Sequence, residues 1–307
     1  MDKITESLLK LVSDWDDSVY EGAYNIRENG GCAGRQSTDN IRIEPKEGGS
    51  GIDIYVEPGT KGEKVYIPAC ISKSNVEDLV YNDFHIGEDA DVTIVAGCGV
   101  HTDDEEGSRH NGIHRFFLEK NSRVVYEEKH IGTGTGEGIR SIDPETECIL
   151  GEDSVLEMNT QQLSGVDHSI RNTKGKLGPR AKLIIHESIL TDGEQYAKTE
   201  FDVEMEGEDS AVDLISRSVA KDDSYQEYHS RIKGENRCKG HSECDAILVG
   251  NGKVNAAPEL FAGDLDASLI HEAAIGKVAG EQILKLKTLG LTEEEAEKKI
   301  IDGFLTA

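Results

Sequence analysis

Gly87-Glu-Asp-Ala-Asp-Val-Thr-Ile-Val95 is the stretch whose reading decides the fold, because the chain repeats it. It is echoed by Lys120-Asn-Ser-Arg-Val-Val-Tyr126 and by Gly151-Glu-Asp-Ser-Val-Leu-Glu-Met158. It returns as Gly178-Pro-Arg-Ala-Lys-Leu-Ile-Ile185 and as Gly207-Glu-Asp-Ser-Ala-Val-Asp-Leu-Ile215. Each copy is a polar turn followed by a short strand in which apolar and polar residues alternate. The copies recur at about thirty residues, the range of a repeat architecture. Alternation buries one face of a strand, and a long repeat lets each copy bury that face on the next. The fold class predicted is mainly β, a parallel β-helix (β-solenoid) core with N-terminal and C-terminal α-helical segments. A β-sandwich with similar turns is the alternative that the pattern leaves open.

Working outward, Ile41 and Ile43, then Ile52, Ile54 and Val56, alternate with polar residues, and Val65-Tyr-Ile67 leads into Pro68. These read as further strands. Residues 74–80 read as a short helix and 21–39 as a polar, Gly-rich loop. Ile4, Leu8, Leu11, Val12, Trp15 and Val19 follow the helical period, so 2–20 is expected to be an amphipathic helix capping one end of the solenoid. Two more helical segments close the chain. One covers about 277–289 and stops at Gly290. The next opens with Thr292 and Glu295 in a capping-box pattern and lines Ala296, Ile300 and Phe304 along one face. The expected organisation is 1–40 N-terminal helix and loop, 41–276 β-helix core and 277–307 C-terminal helical segment.

The chain has 307 residues and a net charge of −27. That charge repels polyphosphate and anionic membrane surfaces, so neither nucleic acid nor membrane is expected as a partner. No run approaches the apolar length of a membrane span. The opening residues show no secretory pattern, which leads to an expected cytoplasmic location. Six cysteines scattered through such a chain are expected to stay reduced and to be structural, catalytic or metal-binding.

Metal-capable residues gather near the C-terminal end. Cys238-x2-His241-x2-Cys244 offers soft ligands at close spacing, suited to zinc or iron–sulfur chemistry, but supplies only part of a tetrahedral site. The alternative is one buried cysteine on a strand with surface neighbours. His271-Glu272 is an adjacent imidazole and carboxylate. If 267–271 is a strand, the two point to opposite faces. Cys98 and His101, followed by His110 and His114, make a second cluster, with hydrogen-bonded histidines as the alternative. Gly132-Thr-Gly-Thr-Gly-Glu-Gly138 lacks the context and the lysine of a nucleotide loop and reads as a flexible connector. The chain is therefore not expected to bind ATP itself.

Cys244-Asp245-Ala-Ile-Leu-Val-Gly250, Ala257-Pro258-Glu259 and His271-Glu272-Ala-Ala-Ile-Gly276-Lys277 resemble the SufB/SufD family of iron–sulfur cluster assembly scaffolds. The tail is similar too, with Gly280-Glu281-Gln282, Leu289-Gly290-Leu291-Thr292-Glu-Glu-Glu-Ala296 and Ile301-Asp302-Gly303-Phe304. The resemblance is specific over about 238–305 and weaker over the repeats. It implies a parallel β-helix with terminal helices, in agreement with the repeat. It implies that Cys244 is a cluster ligand or sulfur acceptor, with Glu272 or His271 as associated ligands. Cys238, His241, Cys98 and His101 are secondary metal candidates.

By the same resemblance the helices from about 281 to 305 dock a SufC-like ABC ATPase, through Gln282, Leu289, Leu291, Ile300 and Phe304. The chain is shorter than bacterial SufB and resembles compact archaeal and anaerobe members, which favours a homodimer. The implied cofactor is a transient iron–sulfur cluster of unknown type, the implied role a non-enzymatic scaffold. The rival reading is a β-helix enzyme acting on a polymeric or acidic substrate, with clustered carboxylates as acid and base.

Overall fold

The structure, a computed structural model, describes residues 2–13, 15–16 and 20–306. Helix α1 (Lys3–Ser13) precedes two antiparallel pairs, β1 (Ala23–Glu28) with β2 (Gly31–Gln36) and β3 (Ile41–Pro45) with β4 (Gly51–Val56). The chain then alternates between two sheets. It runs through β5 (Lys61–Ile71), β6 (Glu77–Ile86), β7 (Asp91–His101), β8 (Ser108–Leu118) and β9 (Arg123–Thr133). It continues through β10 (Arg140–Ile142), β11 (Glu145–Leu150), β12 (Val155–Ser164), β13 (His168–Leu177), β14 (Lys182–Thr191) and β15 (Tyr196–Met205). It ends with β16 (Ser210–Ala220), β17 (Tyr225–Gly234), β18 (Cys238–Leu248), β19 (Lys253–Ala262) and β20 (Ala267–Gly276), then α2 (Gly280–Thr288) and α3 (Glu293–Thr306). The first sheet follows the order β2-β1-β5-β7-β9-β12-β14-β16-β18-β20, and β19-β17-β15-β13-β10-β8-β6-β4-β3 form the second, with β11, like β10, paired between β13 and β8. From β5 onward every pairing is parallel, making a β-solenoid of about 8 turns. Parallel register between strands a full repeat apart rules out the sandwich.

The repeated phrase is the turn that stacks the sheet. Asp89, Asn121, Asp153, Arg180 and Asp209 occupy equivalent places and all take positive φ, between 55° and 60°. Asp and Asn tolerate that left-handed conformation better than other side chains. The exception, Arg180, is held by bidentate hydrogen bonds to Asp153 at 2.7 Å. Successive turns bond to each other, as when Asp153 N donates to the Pro179 carbonyl and Arg180 N to that of Glu208. Gly207 is needed where they stack, because a Cβ there would lie 2.0 Å from the Gly178 carbonyl carbon.

Inward residues form columns. Val65, Ile94, Tyr126, Met158, Ile185 and Leu214 lie at one level on successive strands, all nearly or fully buried. Phe84, Phe116, Cys148, Val203 and Ile232 occupy an equivalent level on the opposite sheet.

Three local expectations are corrected. Residues 21–39 are not a loop. They hold β1 and β2, whose sparse apolar content reflects the exposure of β2 on both faces. Residues 74–80 are not helical, because β6 starts at Glu77. Its inward Asp78, paired with Arg27 and His110, disguises the alternation. Helix α1 stops at Ser13, and Val19 lies outside the described residues. This helix does not sit over the solenoid's end. Leu8, Leu9 and Val12 pack it on the outer face of β5, β7 and β9. Gly97 allows that approach, since a Cβ there would lie 2.4 Å from the Val12 carbonyl oxygen. The 132–138 connector stacks on the preceding turn, with Gly136 N and Gly138 N donating to the Thr102 and Asp104 carbonyls. No helix among the described residues is long and apolar enough to cross a membrane.

Candidate metal centre

Strand parity divides the metal-capable residues. Along β18, Cys238, Gly240, Ser242, Cys244 and Ala246 face the interior, while His241, Glu243 and Asp245 face outward. Cys238-x2-His241-x2-Cys244 is therefore not one ligand set, which corrects the local-site expectation. The two cysteines share a face, but six residues of strand separate them by roughly 20 Å. His241 points the other way and places Nδ1 2.8 Å from the Asp213 carboxylate. In the last turn Ser242 pairs with His271, Glu243 with Glu272 and Cys244 with Ala273. His271 is thus the diagonal neighbour of Cys244 on the inner face, and Glu272 sits outside beside Glu243. His271 and Glu272 do take opposite faces. The buried Nδ1 of His271 has no hydrogen-bond partner.

Burial pushes the Cys244 thiol up to about 12, and the negative charges of Glu187 and Asp245 add to the shift. The thiol is protonated at neutral pH, poorly suited to nucleophilic attack as it stands. Burial also raises Cys238, and raises Cys98 well above the ordinary thiol range.

The Cys98 cluster resolves differently. His101 bonds Thr133 at 3.0 Å and lies 3.0 Å from Asp103 at the solenoid corner, while Cys98 points inward. His110 and His114 join a buried polar network running through the interior of the middle turns. His110 pairs with Asp78 at 3.0 Å. Asn82 donates to His114 Nε2 at 3.3 Å, His114 Nδ1 donates to the Tyr126 hydroxyl at 2.7 Å, and Tyr126 donates to Glu128 at 2.8 Å. These bonds fix a neutral His114, whose pKa burial pulls down to about 4. Arg171 donates to Glu128 at 2.7 Å and lies 3.4 Å from Glu187, which also accepts from Thr199 and Ser216 at 2.9 Å each. Burial works against the Glu128 charge, yet His130 and Arg171 hold its carboxyl well below the ordinary range. Burial raises Glu187. No ligand-spacing motif marks this network. Its signal was parity: in Val124-x-Tyr126-x-Glu128-x-His130 the charged residues continue the inward set.

A family model described as the SUF system FeS cluster assembly SufBD core domain matches residues 73–304, from β6 to the last helix. The chain belongs to the SufBD family. It is 28% identical over 262 residues to an iron–sulfur cluster assembly SufBD family protein of Methanothermobacter thermautotrophicus, covering 83% of this chain and 62% of that protein. Relatives of the same description from Archaeoglobus fulgidus and Methanocaldococcus jannaschii are 29% and 27% identical over 86% and 88% of this chain, and 70% and 86% of their own. The chain thus spans less than two thirds of the Methanothermobacter protein's length.

In this SufBD chain the last turn is open. Strands β19 and β20 end the two sheets, each with a hydrogen-bonded neighbour on one side. Leu260, Phe261, Leu265, Ile270 and Ile275 are exposed there, Leu265 completely. Beyond it, α2 buries no residue and leaves Gln282, Leu284 and Leu289 in solvent. Helix α3 docks on β14 and β16. Its buried face is Ala296, Ile301 and Leu305, and Ser188 Oγ donates to the Leu305 carbonyl at 2.8 Å. Leu291, Ile300 and Phe304 are half-buried, and Ile300 and Phe304 lie one position round the helix from the buried Ile301 and Leu305. The capping box is present, with Thr292 N donating to the Glu295 carboxylate and Glu295 N to the Thr292 hydroxyl.

Proposed function

We propose that the protein is a scaffold of SUF-type iron–sulfur cluster assembly. In this reading a nascent cluster is its cargo, built on Cys244 of one copy together with His271 or Glu272 of a second copy. The observation that carries it is that inward Cys244 and the unpartnered His271 are diagonal neighbours on the inner face of the open last turn. The relatives' role in iron–sulfur cluster assembly supports it, and so does the apolar edge of β19 and β20, which a second copy would cover. An edge of that kind is otherwise a liability.

The high pKa of Cys244 bears on how assembly would start. Iron must take the place of the thiol proton, so loading releases a proton and is favoured when the last turn opens. A nucleotide-driven rearrangement by a SufC-like ABC ATPase would supply that opening, given two states with different ATPase contacts. The exposed apolar residues of α2, next to the last turn, suit its docking. The scaffold itself hydrolyses nothing and works in the cytoplasm.

Anaerobic reconstitution with ferrous iron and sulfide tests the site. Wild type is expected to gain visible absorbance and bound iron, and Cys244→Ala to lose both. An unchanged spectrum and iron content in Cys244→Ala would defeat the assignment. Leu284→Asp is expected to abolish capture of a SufC-like ATPase while leaving the fold intact, and undiminished capture would remove α2 from the docking surface.

A further inference from the structure

We propose that His241, Glu243 and Glu272 form a separate divalent-metal site on the outer face of the last turn, of the class that takes ferrous iron. One ligand atom from each lies within 4.8 Å of the others. The register creates this set. His241 and Glu243 are two residues apart on β18 and share its outer face, and Glu272 stands directly across from Glu243 on β20. Within one copy none of the three can reach the interior that Cys244 faces.

Two observations separate the set from an ordinary acidic surface. The first is the missing cation. Like charges directly opposite on neighbouring strands are unfavourable, and in the other such cluster this chain neutralises them. Asp53, Asp83 and His85 are also close enough to share an ion, but Lys46 bonds both aspartates and Arg115 grips Asp83 with two bonds of 2.7 Å. Arg231 and Arg237 likewise grip single carboxylates, Asp202 and Asp209, with two bonds each. No ion pair joins Glu243 or Glu272 to a basic side chain among the described residues. The second is the histidine. Asp213 holds His241 Nδ1 at 2.8 Å, which orients the ring and leaves Nε2 as the ligand atom. A carboxylate behind a ligating imidazole is the usual outer support of a metal-bound histidine.

One imidazole and two carboxylates, with no thiolate, suit a first-row divalent ion with open positions for water. The choice of iron among such ions rests on the assembly reading above. The site itself does not. On that reading it would hold ferrous iron one sheet thickness from Cys244, because Glu243 and Cys244 are consecutive.

The test uses cobalt(II) as probe on the full chain carrying Cys244→Ala. Equilibrium dialysis is expected to find one bound ion, with a spectrum free of thiolate-to-metal charge transfer. Adding Glu243→Gln or His241→Ala should weaken binding about tenfold or more, and Asp213→Asn about tenfold. These are surface changes, and unchanged thermal unfolding would show that each variant folds. Loss of cobalt binding in Cys244→Ala alone, or unaltered affinity in both Glu243→Gln and His241→Ala, would overturn the proposal. Neither result touches cluster formation on Cys244. Conversely, cluster formation that survives Cys244→Ala would sink the assembly reading and leave this site standing.

Discussion

The middle of the solenoid and its last turn both place polar groups at inward positions, with opposite outcomes. In the middle, Arg171 lies between Glu128 and Glu187, and the hydroxyls of Tyr126, Thr199 and Ser216 also bond these carboxylates. At the end, Cys244 and His271 have neighbours on one side only, and His271 Nδ1 is left without a partner. Burial and residue type do not separate a structural polar group from a candidate ligand here. What differs is the number of flanking turns. Thr160 Oγ1 and Gln162 Nε2 in the middle turns are also buried without a hydrogen-bond partner, so an orphaned atom alone does not mark the last turn; its free side, open to another molecule or ion, does.

Removing the central cation should have the largest effect. Arg171→Ala leaves two buried carboxylates facing each other and is expected to destabilise the fold by about 3–5 kcal/mol in urea unfolding. A loss under about 1 kcal/mol would mean that the network is dispensable and the contrast false. The next effect is a pH dependence. His114 titrates near 4 when folded against an ordinary 6.5, so the unfolded chain binds more protons between those values. Stability from this group is complete above pH 6.5 and drains away as pH falls towards 4, by about 3 kcal/mol in all. Burial depresses His130 in the same direction. His114→Gln should flatten that part of a stability-against-pH curve, and an unchanged slope would show that His114 is not the titrating group. The smallest change in protomer stability is expected at the open end. Leu260→Asp and Ile275→Asp should shift unfolding by less than about 0.5 kcal/mol, as for exposed positions generally. In light scattering the same variants should convert a dimer to a monomer. A wild-type chain that is already monomeric would break the comparison at its second half.

Much of the architecture was legible because the turn and the strand repeat together. The Gly-Glu-Asp phrase names its own left-handed residue, and the alternation after it gives the inward set. The interior network was not legible, because Glu128, Arg171 and Glu187 read as solvent-facing to any rule that sorts charge outward. Applying parity through them would have found it. The same rule would have split Cys238, His241 and Cys244, where counting ligand spacing alone joins them. On α3, stripes through Ile300 and Phe304 or through Ile301 and Leu305 both fit the helical period. Only packing against Val219 on β16 chooses the second. The outer His241–Glu243–Glu272 set depends on the register of β18 with β20, which no local pattern encodes.

The two ends of the solenoid are not alike, and this bears on polymerisation. A stack of parallel turns has no intrinsic length, so its uncovered end could in principle accept the start of another copy and grow into a filament. The N-terminal end is finished with strands running against the rest, β2 beside β1 and β3 beside β4. A following copy therefore cannot continue the parallel register there. Head-to-tail growth is blocked at one end, so two copies meeting at the uncovered end, as proposed above, would meet through like ends. Such a contact closes after two copies.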